Sequence, residues 1–174
     1  MQVAGVCRLV PKGCGDGMIL DPTCSARSIW FDKDREDVVY GDKRIEDLWV
    51  GKGKNGRQWN VRPDVQLDFT SLPFRSGSFE MVVFDPPHLK DLGETSWLYL
   101  KYGKLLPGWQ DMIRAGFSEC FRVLRSRGVL VFKWNENQVK VSEVLSLTNL
   151  SPMFGHTTGS KSKTHWLTFI KDSA

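Results

Sequence analysis

Asp85-Pro86-Pro87-His88 is the tetrapeptide in this chain whose residue types and order could do chemistry. An acid followed by two prolines makes a rigid turn. Each proline fixes φ and lacks an N–H, so nearby carbonyls are freed from ladder bonding. Such a turn can aim one carboxylate oxygen of Asp85 and the backbone carbonyl of Pro86 at the same amino group. Two acceptors converging on an NH2 hold its protons, push the nitrogen toward a tetrahedral form and expose its lone pair to an electrophile. The ring of His88 can stack on a base that carries the amine. The same residues also fit an ordinary proline turn after a strand, so the surroundings must decide.

The elements around the turn supply that context. Phe79 to Phe84 is an apolar run that reads as a buried parallel strand ending at Asp85. Before it come Met18 to Leu20, Val38 to Tyr40 and Asp64 to Leu67, each short, apolar and closed by a turn signal. Ser25 to Asp34 reads as a helix, with Ile29, Trp30 and Phe31 on its buried side and Thr23 or Ser25 as N-cap. Trp109, Ile113, Phe117, Phe121 and Leu124 recur at helical spacing, and Gly128 stops that helix before a fifth strand, Val129 to Phe132. A helix near Val139 to Leu147 and a hairpin ending in the strand Thr164 to Ile170 complete the chain. Alternating strands and helices predict a single α/β domain, a Rossmann-like, doubly wound and mostly parallel sheet.

In such sheets, ligands sit outside the carboxyl ends of the strands. Asp21, Asp42 and Asp68 fall at those ends in order. Asp42 follows Asp21 by 21 residues, a spacing that suits a ribose-binding acid. Asp68 could accept from an adenine amino group, with Phe69 beside the ring. Each acid taken alone is better explained by a helix cap or a solvated loop charge. The ordered set is harder to reduce to that. Gly13-Cys14-Gly15-Asp16-Gly17 resembles a nucleotide loop, but Pro11 precedes it and Pro22 follows the next strand, so no helix can open there. It reads as an N-terminal lead-in, residues 1–17.

Two segments lack apolar periodicity. Residues 44–62 form a basic loop with Lys52, Lys54, Arg57 and Arg62, near Trp49 and Trp59. Residues 89–108, with Trp97, Tyr99 and Tyr102, are long enough to be a substrate lid, although their aromatics would serve equally as core. Lys133, Trp134 and Asn135 lie just past the fifth strand, on the edge of the catalytic turn, where they could contact substrate. Lys161 and Lys163 lie in the final hairpin. The basic side chains suit phosphates or a solvated surface. His156 and His165 read as structural.

With 174 residues and 41% hydrophobic content, one domain can bury a substantial core. No apolar stretch approaches the ~20 residues of a membrane span, and Met1 to Val10 is too weakly apolar for a secretory signal, so a soluble, cytoplasmic protein is expected. Cys7, Cys14, Cys24 and Cys120 lack paired ligand spacing, so free thiols and no metal are expected. A net charge of +4 permits a nucleic-acid partner without demanding one.

Asp21-Pro22, Asp42, Asp68 with Leu72-Pro73-Phe74, and Asp85-Pro86-Pro87-His88 together resemble the class I S-adenosylmethionine-dependent methyltransferases. More narrowly, the chain resembles the amino-methylating branch marked by Asp/Asn-Pro-Pro-aromatic. Asp21 to Arg27, Phe132 to Glu136 and Thr164-His165-Trp166 are similar to small phage and prophage DNA adenine methyltransferases. The resemblance implies a sheet of about seven strands with the last antiparallel, and S-adenosylmethionine held by Asp21, Pro22, Thr23, Cys24, Ser25, Asp42, Asp68 and Phe69. It implies methyl transfer to an exocyclic amine at Asp85, Pro86, Pro87 and His88, with adenine N6 in DNA as the leading acceptor. RNA adenine, cytosine N4, a protein amide and a noncatalytic binding module stay open as alternatives. With no room for a target-recognition domain, loose sequence specificity is expected, or else a specificity partner or homodimer. Ser25 and Ala26 stand where the family usually has glycines, and His88 stands where Tyr, Phe or Trp is commoner.

Overall fold

The computed structural model describes residues 17–51, 54, 56–93, 96–158 and 163–173. Its centre is a seven-stranded sheet built from β1 (Ile19–Asp21), β2 (Val38–Asp42), β5 (Val65–Gln66), β6 (Phe79–Phe84), β7 (Leu124–Asn135), β8 (Phe154–Thr158) and β9 (Thr164–Ile170). The order across it is β5-β2-β1-β6-β7-β9-β8. All neighbours from β5 to β7 run parallel, while β9 runs antiparallel to both β7 and β8. This is the Rossmann-like sheet expected from the sequence. The order reverses beside β1 and β6, where a ligand crevice opens in such folds. Asp21 and Asp85 therefore face each other across the switch point.

The best-packed face belongs to α2 (Trp109–Val123). Its apolar stripe, Trp109, Ile113, Phe117, Cys120 and Val123, is buried. Phe117 meets Phe132 at 4.8 Å and Phe84 at 5.9 Å between ring centroids. Alternate residues of β6 and β7 (Val82, Phe84, Leu130, Phe132, Trp134) fill the same core, which makes the strand preceding the Asp-Pro-Pro turn a rigid mount. β7 begins five residues before the predicted fifth strand, directly at the helix end, and Gly128 lies inside it rather than ending the helix. A side chain at Gly128 would meet the carbonyls of Arg125 and Glu80 at 2.9 and 3.1 Å, so the close approach of β7 to β6 there requires glycine.

Three expectations need correction. Ser25 to Asp34 is not a helix but a run of turns. Ser25 and Arg27 adopt left-handed φ of 47° and 54°, Phe31 is fully exposed, and Trp30 turns inward to donate from Nε1 to Asp21 at 2.7 Å. Residues 44–62 are not a loop. They form the antiparallel hairpin β3 (Glu46–Val50) and β4 (Arg57–Val61). Val50, Trp59 and Val61 make a small core of their own with Ala26, Leu48 and Leu100. The two-residue alternation was present in the sequence but obscured by the basic residues between the strands. Within 89–108, residues Trp97–Tyr102 form a helix, α1, capped by the Ser96 hydroxyl accepting from the Tyr99 N–H at 3.1 Å. The remaining helix, α3, is Val141–Leu145.

All of the 1–17 lead-in except Gly17, with Cys7, Cys14 and the glycine-rich run up to Asp16, lies outside the described residues, as do Lys52 and Lys161. Cys24 and Cys120 are free and buried, and no metal-binding cluster occurs among the described residues. No helix among them is long and apolar enough to cross a membrane.

Candidate active site

The strand ends at the switch point open on a cavity of about 470 Å³, well within the range of small-molecule sites. Asp21, Pro22, Thr23, Cys24, Ser25, Asp42, Asp68, Phe69, Asp85 and Pro87 all line it, so the cofactor-side residues named from the sequence converge on one space.

Asp85 is held at two points. Its N–H donates to Thr23 Oγ1 at 2.9 Å, which ties the Asp-Pro-Pro turn to the loop after β1. Its Oδ2 accepts from Lys133 Nζ at 2.5 Å. Its Oδ1 is buried and has no hydrogen-bond partner among the described residues. A buried carboxylate oxygen left without a donor costs free energy, which a ligand N–H at that point would recover. The geometry offers one such acceptor. The Pro86 carbonyl, expected as the second, is turned onto His88 Nδ1 at 3.3 Å.

His88 is displaced from its expected role as well. It does not line the cavity; its ring lies 6.0 Å from Trp134 and 6.4 Å from Tyr102. Burial holds its imidazole below the ordinary histidine range, with Asp85 pulling the other way. Tyr102, from the end of α1, takes the place at the cavity wall.

Among the residues expected to touch substrate, Lys133 instead neutralises Asp85. Trp134 is fully buried in the core and donates to the Val139 carbonyl at 3.0 Å. It sits on the α2 side of β7, because alternate residues of a strand face opposite ways. Asn135 closes a turn, accepting from the Asn137 N–H and donating to Thr164 Oγ1, both at 3.0 Å. Lys54, Arg57 and Lys163 are exposed.

The three ordered acids differ in state. Asp21 is 1% exposed and accepts from the Thr23 N–H and the Trp30 indole. Burial pushes its carboxyl up to about 7; those two hydrogen bonds oppose the shift, while Asp85 and Asp42 add to it. Asp42 accepts from the Ser25 N–H at 2.9 Å and from the Arg44 N–H at 2.9 Å, with the Arg44 guanidinium beside it at 3.4 Å. Asp68 is drawn below the usual carboxylate range; burial works against the shift and is outweighed by hydrogen bonds from Thr70 and Lys43. Burial pushes the Cys24 thiol upward, so it stays protonated.

Sequence reasoning missed Lys43 and Arg44, which line the cavity directly after Asp42. Arg44 also donates to the carbonyls of Leu100 and Lys101 at 3.0 and 2.9 Å. The Ser25 hydroxyl donates to the Lys101 carbonyl at 3.0 Å and accepts from Trp59 Nε1 at 3.2 Å. The cavity wall, the hairpin and the end of α1 are thus one hydrogen-bonded unit. Two cations immediately following a strand-end acid were the available signal.

No family model matches the chain, and no curated protein matches it. Among solved structures, it is similar to a TehB-like S-adenosylmethionine-dependent methyltransferase from Corynebacterium glutamicum, with a TM-score of 0.54 and 14% identity over 98% of this chain and 89% of that one. A geranyl diphosphate methyltransferase, solved with geranyl diphosphate and sinefungin, matches at a TM-score of 0.41 and 12% identity over 97% and 76%. The first likeness shows the fold alone: the Rossmann-like sheet, shared over nearly the whole chain.

Proposed function

We propose that this protein is an S-adenosylmethionine-dependent N-methyltransferase acting on the exocyclic amine of a nucleic-acid base, with adenine N6 in DNA as the acceptor and loose sequence specificity. The observation that carries the reading is the orphan Oδ1 of Asp85, a buried acceptor on a residue that lines the cavity.

The cavity suits the cofactor by charge and by shape. S-adenosylmethionine carries a sulfonium and an ammonium, and Asp21, Asp42, Asp68 and Asp85 surround the space. Asp21 and the backbone from Pro22 to Ser25 would hold its amino-acid end, Asp42 its ribose, and Asp68 with Phe69 its adenine. When bound, the cofactor supplies an electrophilic methyl group. The remaining work belongs to the chain. Asp85 Oδ1 accepts from the acceptor amine and holds its lone pair toward the cavity. Lys133 fixes the carboxylate so that only this oxygen is offered. Thr23 locks the turn against the loop after β1, and Tyr102 and Pro87 wall the side away from the cofactor. Positioning of this kind supplies much of the rate in a bimolecular transfer. A base in a duplex must leave the stack to reach such a site.

A tritium-transfer assay tests the reading: purified protein, labelled S-adenosylmethionine and unmethylated DNA, with RNA in parallel, followed by nucleoside analysis. Label in N6-methyladenine is the expected outcome. Label only in N4-methylcytosine, RNA or a protein amide would move the acceptor. No label, with calorimetry showing no cofactor binding, would favour a noncatalytic module. The engagement of Asp42 by Ser25 and Arg44 is the feature on that side.

A further inference from the structure

Beside the cavity, α1 and the hairpin hold two cations in an unusual setting. Lys101 is 5% exposed, yet among the described residues its ammonium has no carboxylate partner. It lies 4.1 Å from the Trp59 ring centroid and 4.8 Å from that of Trp97. The Arg57 guanidinium sits 5.5 Å from the same Trp59 ring, also without an acid. Burial and the nearby Arg57 charge both disfavour the Lys101 ammonium. The indoles recover part of that cost through cation–π attraction, but a buried lysine facing a second cation still lacks an anion.

The surroundings say which anion. Trp97 is 52% exposed and offers an indole face beside Lys101. In the other direction, Trp59 meets Tyr102 edge-on at 6.3 Å, and Tyr102 lines the cavity. A chain of contacts therefore runs from the cavity wall outward through Tyr102, Trp59, Lys101 and Trp97, with the one ammonium set between two indoles. We infer that Lys101 and Arg57 bind a phosphodiester of a single-stranded nucleic acid whose unpaired base stacks on Trp97, on the strand that leads into the cavity. The inference rests on the proposed function for the identity of the acceptor. A lysine recessed between two indoles is out of reach of the convex phosphate ridge of a duplex. An exposed indole face engages a base only when that base has left its stack. An acidic peptide could satisfy the cations but would leave the Trp97 face unused.

The test is fluorescence titration with a short oligothymidylate, because thymine carries no exocyclic amine and binding then reports this site and not the transfer chemistry. The expected result is quenching of indole fluorescence and stronger binding of the single strand than of a duplex of equal length. Lys101→Met and Arg57→Gln should each weaken binding about tenfold and reduce the salt dependence of log K by about 0.7. Trp97→Ala should remove most of the quenching with a loss of about tenfold. Trp49→Ala is the control, since Trp49 lies on the opposite face of the hairpin, paired with Gln58. Lys101→Met should also raise the melting temperature, because it relieves a buried, unpaired cation. Loss of binding together with lowered stability would mean that Lys101 is structural and would overturn the assignment. So would no binding, binding unchanged in the Lys101→Met/Arg57→Gln double variant, or a preference for duplex or for polyglutamate. Oligothymidylate binding without any methyl transfer would leave this site standing while the proposed function fell.

Discussion

Asp85 gives one carboxylate oxygen to Lys133, the other is buried and without a hydrogen-bond partner among the described residues, and Asp21 ends the neighbouring strand. Asp85→Ala removes the only acceptor the turn presents while leaving the Asp21, Asp42 and Asp68 pockets in place. Transfer to adenine should fall at least about a hundredfold, with cofactor affinity by calorimetry little changed; retained transfer would sink the role given to Asp85. Asp21 yields a prediction in pH. Its folded pKa of about 7 lies above the ordinary aspartate value of 3.8, so the folded state holds the proton over a range where the unfolded chain has released it. The stability contributed by the protonated form is therefore full below about 4 and lost as pH rises through about 7, on the order of 4 kcal/mol in all. The ligand-free protein should melt progressively lower from pH 5 to pH 8, and Asp21→Asn should flatten that slope. A cationic cofactor favours the ionised carboxylate, so its affinity should rise over the same interval with proton release. Calorimetry in buffers of different ionisation enthalpy measures that directly, and an affinity independent of pH would contradict it.

The elements that carry these residues were unequally legible. β6 and α2 were readable because an apolar run bounded by prolines and a clean stripe at helical spacing have few alternatives. The acids at the strand ends were readable for the same reason, since each closes a short apolar run. The hairpin was not, because its alternation covers only a few residues and its basic side chains dominate the composition. The turns after β1 were misread as a helix because Ile29, Trp30 and Phe31 are apolar. No sequence signal said that Trp30 would be drawn onto the buried Asp21 carboxylate instead. For His88 and Trp134 direction was not legible: strand alternation and the proline turn aim both rings into the protein. α1 has six residues, too few to hold a helix unaided. Arg44 and Ser25 secure its last carbonyls. Arg44→Ala should therefore loosen residues 97–104, seen as faster amide hydrogen exchange there with α2 unchanged, and cost about 1–3 kcal/mol in global stability. Equal protection in variant and parent would show that packing against the hairpin alone fixes α1.

At the scale of the whole molecule, the chain places its best packing behind the catalytic turn and its weakest elements in front. The aromatic core under β6 and β7 fixes Asp85, whereas the turns after β1, the hairpin and α1 are short pieces joined through buried polar groups at Ser25, Asp42 and Arg44. Burial keeps Asp21 partly protonated near neutral pH, and repulsion from the Asp85 and Asp42 carboxylates adds to that effect. A cationic ligand removes this repulsion and joins the loop after β1 to β2, β6 and α1 at the same time. Binding to the folded state alone stabilises it by about 2.7 kcal/mol at a hundred times Kd. In a chain of 174 residues that corresponds to a rise of roughly 5–10 °C in melting temperature. S-adenosylmethionine should produce this shift, and adenosine should produce less, because it lacks the sulfonium and ammonium that the acids are placed to meet. The difference should widen in low salt, where the field of the carboxylates is least screened. A melting temperature that responds to neither compound would remove the cofactor assignment while leaving the fold and the Lys101–Arg57 site as they stand. A larger shift with adenosine than with S-adenosylmethionine would mean that the cavity reads the nucleoside and that the acids at β1 and β6 serve another ligand.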